Sequence, residues 1–185
     1  MKDGRPKEKR SRIFTRTTWT KLSAHERGTL VIREHPSRDL FHPAGPEDIR
    51  RVLDRLPYVE TVHVKAVVLR RTPKEDLRRL VEARRRYDVV ILNAFPRTMQ
   101  DVWVRKPDAA TVRHMAPWCE RWSEEGGRWI LQWNADELQR YYLFHLLLHE
   151  IGHINEPRMH ATKRRESFAE DYALNWARRL GCLNR

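Results

Sequence analysis

The sequence predicts an α+β fold: a small mixed sheet, then a long helix carrying two histidines one turn apart, then a C-terminal helix packed against it. Three observations predict it. Short β-branched runs alternate with helical patterns between residues 46 and 133. The two longest helical patterns close the chain. Hydrophobic residues make up 40% of the sequence, enough for a globular core.

Residues 1–16 carry seven Lys/Arg against two acids, with Ile13 and Phe14 as the only sizeable apolar groups. Such a segment buries too little to offset its ordering entropy, so a disordered basic arm is expected. Residues 17–45 read as an irregular lead-in. Thr29–Ile32 within it suits a short strand, and Pro36, Pro43, Gly45 and Pro46 break up the chain beyond that strand. One domain is expected over residues 46–185. Ile49, Val52, Leu53 and Leu56 recur at helical spacing until Pro57. Val59–Leu69 is β-rich. Thr72-Pro73-Lys74-Glu75 reads as a capping box opening a helix, with Leu77, Leu80 and Val81 on one face and Arg85 and Arg86 largely elsewhere. Asp88–Leu92 and Val102–Val104 read as strands. Residues 107–122 read as two helical pieces split by Pro117. Gly126-Gly127 is a turn before a further strand, Trp129–Trp133.

Bulk properties exclude several classes. The two cysteines, Cys119 and Cys182, make neither a disulfide framework nor a cysteine-type zinc site. No secretory leader and no run of about 18 apolar residues is visible, so no membrane association and a cytoplasmic location are expected. The net charge of +12 favours acidic partners, and nucleic acid is a candidate through the basic surface.

The chemistry concentrates after Asn134, an N-cap followed by Asp136 and Glu137 in the first helical turn. The helix it opens runs to about Asn155 and is apolar almost all round past Arg140, as a buried helix is. Leu143, Leu147, Ile151 and Ile154 form one stripe. Leu138, Tyr142, His145, Leu146, His149 and His153 form the roughly opposite one. His149-Glu150-Ile151-Gly152-His153 is an HExxH motif. Residues four apart lie on one face about 6 Å apart along the axis, so both imidazoles reach one Zn²⁺. Glu150 projects to the side, where it can take a proton from an activated water. His145 lies about 12 Å along the axis from His153, too far to share that metal, and reads as a packed or supporting group. His160 comes seven residues after His153, which does not suit a ligand.

A catalytic zinc needs a third protein ligand. In Glu166-Ser167-Phe168-Ala169-Glu170-Asp171-Tyr172-Ala173, both glutamates share a face with Ala169, Ala173, Ala177 and Leu180. A stripe of small residues lets two helices approach closely, so Glu166 and Glu170 point at the partner helix. Surface pairing with the nearby arginines is the alternative.

HEIGH followed by ESFAEDYA resembles the gluzincin metallopeptidases, and the pattern Glu166-x-x-Ala169 with Tyr172-Ala173 resembles ImmA/IrrE-type peptidases and the minigluzincins. The resemblance covers about residues 140–180. It implies a zincin-like domain, a peptide or protein substrate, Glu166 as third zinc ligand, and Glu170 as an acceptor orienting a zinc-bound histidine. The short gap from His153 to Glu166, and Glu170 where Asn or Asp is usual, keep Glu170 as the alternative ligand. Trp129–Trp133 would be the edge strand that holds an extended substrate. Arg158, His160 and Tyr172 are candidate oxyanion stabilisers. The expected function is zinc-dependent peptide hydrolysis with Glu150 as general base. The alternatives are a nucleic-acid-associated, SprT-like protease and a metal-stabilised interaction module without turnover.

Overall fold

A computed structural model describes residues 28–156 and 161–183. The expected basic arm at 1–16, and Arg158 and His160, lie outside the described residues. In chain order the elements are β1 (Leu30–Arg33), β2 (Leu40–Phe41), α1 (Pro46–Arg55), α2 (Tyr58–Thr61), β3 (Ala66–Arg70), α3 (Lys74–Arg78), β4 (Ala83–Arg86), β5 (Val89–Asn93), β6 (Phe95–Pro96), β7 (Gln100–Trp103), α4 (Ala109–Met115), β8 (Trp122–Glu125) and β9 (Arg128–Gln132). The helical end comprises α5 (Ala135–Tyr141), a π-helical stretch (Tyr142–Leu146), α6 (Leu147–Asn155) and α7 (Thr162–Arg179). The architecture is mixed α+β. No helix among the described residues is long and apolar enough to cross a membrane.

The main sheet has the order β1-β3-β5-β4. β1, β3 and β5 are parallel, and β4 joins β5 antiparallel at the edge. Parallel strands covered on both faces read as continuous apolar runs, as Ala66-Val67-Val68-Leu69 and Val89-Val90-Ile91-Leu92 do. One face of this sheet meets α1, the π stretch and α6 in the main core, where Val67, Leu69, Val90, Leu92, Ile49, Leu147 and Ile151 pack together. Of the two smaller sheets, β2 pairs with β6, and β9 lies between β7 and β8. β8 and β9 are joined through Gly126 and Gly127, both at positive φ, where glycine carries no Cβ penalty.

The short strand expected at Thr29–Ile32 is β1, whose Leu30–Arg33 pair with Ala66–Leu69. Three expectations are corrected. The run Val59–Leu69 is not one strand: Tyr58–Thr61 form a helical turn with Tyr58 and Val59 exposed, and the strand begins at Ala66. Residues 107–122 hold a single helix, α4, capped by Asp108, whose side chain accepts from the Thr111 N–H.

The third correction bears on the site. The helix opened at Thr72 ends at Arg78, and the arginine-rich residues after it form β4. Thr72 does not cap: its hydroxyl donates to Ala94 O at 2.6 Å. Leu80 sits at φ 52° and the Val81 N–H returns to Asp76 O, which turns the chain. Asp76 then ties the region together. Its buried carboxylate pairs with Arg70 and Arg84, and Asn93 donates to Val81 O at 2.6 Å. Pairing with β5 overrides the helical periodicity of Leu77, Leu80 and Val81.

Candidate metal centre

Asn134 caps the long helix as its residue type predicts: Asn134 Oδ1 accepts from the Glu137 N–H at 2.8 Å, with Glu137 reaching back to the Asn134 N–H. The π stretch Tyr142–Leu146 then widens the helix by a residue, in the turn that carries His145 and precedes His149. Such stretches are frequent at functional sites.

α6 and α7 approach closely because small residues meet. Ala169, Ala173 and Ala177 are fully buried. Gly152, inside the HExxH motif, faces them: a Cβ there would lie 3.1 Å from Ala169 Cα and 3.1 Å from the Tyr172 ring. That approach carries Glu166 to the two histidines. One of its oxygens, Oε2, lies 3.5 Å from His149 Nε2 and 3.4 Å from His153 Nε2.

These three side chains offer donor atoms all within 4.8 Å of one another. A tetrahedral zinc with donors at about 2.0–2.1 Å spaces those donors roughly 3.4 Å apart. The observed separations of 3.4 and 3.5 Å match that edge, so the donor set and its spacing fit a His₂Glu metal site.

Each histidine is also held from behind. His153 Nδ1 donates to Glu156 Oε2 at 3.2 Å, and Arg165 Nε donates to Glu156 Oε1 at 2.6 Å. His149 Nδ1 faces Glu170 Oε2 at 3.5 Å. A carboxylate lies behind each imidazole, hydrogen-bonded at His153 and facing Nδ1 at His149, and both leave Nε2 for a metal. Glu156 is absent from the sequence-based candidates, although its position three residues after His153 is a usable signal. Burial works to lower the His149 pKa, but Glu170, Glu150 and Glu166 outweigh it and hold that pKa above its ordinary value. Burial would raise Glu170, yet contacts from His114, His145 and His149 hold its carboxyl far below the usual range.

Glu150 is 7% exposed and turned toward the same space. Burial pushes its carboxyl up to about 7, against the pull of His149 and the nearby Arg85 and Arg84. Its pKa therefore sits near neutrality, where a general base is most effective. An open groove passes over the site. Ala83, Arg84 and Arg85 of β4 form one wall, and His149, Glu150, His153 and Glu166 form the other.

The groove corrects the substrate-strand expectation. Trp129–Trp133 corresponds to β9, the central strand of its sheet, bonded on both sides. Among the described residues the edge strand beside the motif is β4, which pairs with β5. Tyr172 is also corrected as an oxyanion stabiliser: its hydroxyl donates to Glu60 Oε2 at 2.8 Å and meets Asn155, linking α2, α6 and α7. His145 is buried and bonded to Glu170 Oε2 at 2.9 Å. No protein-family model, curated protein or solved structure matches this chain.

Proposed function

We propose that this chain is a zincin-like, zinc-dependent metallopeptidase that hydrolyses peptide bonds of a protein or peptide bound along β4. The observation that carries the reading is the convergence of His149 Nε2 and His153 Nε2 on one oxygen of Glu166, beside a buried Glu150 and a groove walled by β4. His149, His153 and Glu166 would hold the metal. Zinc supplies Lewis-acid activation of a water and of a carbonyl oxygen. Glu150 takes the proton from the attacking water and delivers it to the leaving amine. Glu170 and Glu156 keep the two imidazoles aimed. An extended peptide lies in the groove along Ala83–Arg85 of β4, so main-chain hydrogen bonds hold it across the site. The groove sets the peptide between that strand and Glu150.

The test is metal binding and proteolysis measured together. Zinc-loaded parent chain is expected to generate new termini in a mixture of unstructured peptides, read by mass spectrometry, and to stop when a chelator is added. Glu166→Ala should bind zinc at least about 100-fold more weakly and lose cleavage with it. If Glu166→Ala keeps full zinc affinity while Glu170→Ala loses it, the ligand is Glu170. Zinc retained by the parent without any new termini sinks the enzyme reading and leaves a metal-stabilised interaction module.

The net charge of +12 favours a second reading, in which the same site acts on proteins associated with nucleic acid. A steep fall of nucleic-acid affinity with salt is its signature.

A further inference from the structure

A second group of metal-type donors lies behind the first. His114 projects from the last turn of α4, His145 from the π stretch, and Glu170 from α7. Their donor atoms also lie within 4.8 Å of one another. His145 Nε2 is 2.9 Å from Glu170 Oε2, and His114 Nδ1 is 3.3 Å from Glu170 Oε1. The two imidazoles therefore meet different oxygens of one carboxylate, His114 at a separation close to the roughly 3.4 Å edge of a tetrahedral zinc site and His145 at hydrogen-bond distance.

The site is built from rigid parts. His145 is 3% exposed. Tyr141 stacks on its ring at a centroid distance of 5.0 Å, and Trp118 packs at 5.3 Å. Those contacts fix the direction of Nε2. The His114 side chain, in contrast, is 40% exposed, so the group opens to solvent on that side. Three protein donors with one open side is the arrangement that admits a metal from solution.

We propose that His114, His145 and Glu170 form a second divalent-metal site, suited by its N₂O donor set to zinc. It lies next to the first site and shares a carboxylate with the support of His149, since Glu170 Oε2 is also the oxygen facing His149 Nδ1. A carboxylate has lone pairs enough for both tasks. Occupation of the second site then fixes Glu170, and through it the imidazole of His149. The site stands whether or not its neighbour cleaves peptides. His114 also lines the groove that reaches Glu150 and Glu166, so a metal there faces the same opening.

The experiment is calorimetric titration of the zinc-free full chain with zinc chloride, on the parent, His114→Ala, His114→Gln and Glu166→Ala. His114 is exposed, so its variants are expected to keep the parental circular dichroism and melting temperature, and the two substitutions guard against a local defect of either one. The parent should bind two equivalents. Each His114 variant should lose one, or bind it at least about 100-fold more weakly, and Glu166→Ala should lose the other. A parent with one equivalent that His114→Ala abolishes supports this site and removes the first. His114 variants that bind as many zinc ions as the parent, with the same affinities, overturn the proposal.

Discussion

Two acids in this molecule are buried to the same degree and do different things. Glu150 is 7% exposed and Asp101 is 6% exposed. Burial raises both, Glu150 to about 7 and Asp101 to about 6. Their surroundings separate them. Glu150 borders an open groove among histidines and arginines. Asp101 lies in β7, where its Oδ2 accepts from the Trp133 indole at 2.8 Å, close to a second acid, Glu82, that Tyr141 holds by its hydroxyl. A buried acid is costly in either place. At the groove that cost leaves a base near neutral pKa within reach of a substrate. At Asp101, which the Trp133 indole holds, the same cost bears on stability. A raised pKa therefore becomes a functional signal when the group also meets an open surface.

The largest expected effect tests the groove side. Glu150→Gln should lower peptide hydrolysis by about 100- to 10,000-fold, because an amide cannot take the proton. Zinc content and melting temperature should stay at the parental values, since the amide fills the same volume and brings no charge to bury. A variant that unfolds while the remaining folded fraction cleaves at the parental rate would make Glu150 another Asp101, and the contrast would fail.

The core side breaks through Tyr141. Its hydroxyl donates to Glu82 Oε2 at 2.9 Å, and the buried Glu82 Oε1 has no hydrogen-bond partner among the described residues. Tyr141→Phe leaves that carboxyl with less support and should cost about 1–3 kcal/mol in urea unfolding. Its kcat should hold, because Tyr141 does not line the groove. A loss of kcat at unchanged stability would tie this core to the chemistry.

The legibility of these regions from sequence differs for a physical reason. Asn134, the HExxH spacing and the alanines of α7 act within one helix or across one helix pair, so their period can be read directly. The convergence of Glu166 on both histidines comes from Gly152 and Ala169 packing together, which the small-residue stripe announces. Strand pairing is less visible. Residues 77–86 carry helical periodicity, yet β4 forms because β5 pairs with it and Asp76 anchors the turn by Arg70 and Arg84. Those partners are distant in sequence, and no local pattern encodes them. The expectation that Trp129–Trp133 is an edge fails for the same reason: a strand's own residues do not say how many neighbours it has. Glu82 and Asp101 are invisible as a pair in the sequence because the segments that carry them belong to different parts of the sheet structure, Asp101 to β7 and Glu82 to the residue before β4.

The smallest effect is the most specific to the comparison. Asp101 has a folded pKa of about 6 against an ordinary value of 3.8, raised by burial and opposed by the Trp133 hydrogen bond. A group whose folded pKa is raised binds its proton more tightly in the folded chain than in the unfolded one. Its contribution to stability is therefore complete below pH 3.8 and is lost as pH rises through about 6. Glu82 moves in the same direction, with burial as the main cause and the charge of Asp101 adding to it. Asp101→Asn keeps an oxygen to accept from Trp133 and stays neutral throughout, so its stability should not carry this loss. Unfolding by urea at about pH 4, 5, 6, 7 and 8 should show the variant gaining on the parent by roughly 1–3 kcal/mol between the two ends. Carboxylates with lowered pKa, such as Glu137 and Glu170, contribute the opposite slope but are common to both proteins and cancel in the difference. Parallel curves would mean that Asp101 keeps its ordinary pKa in the folded chain, and burial alone would no longer link it to Glu150.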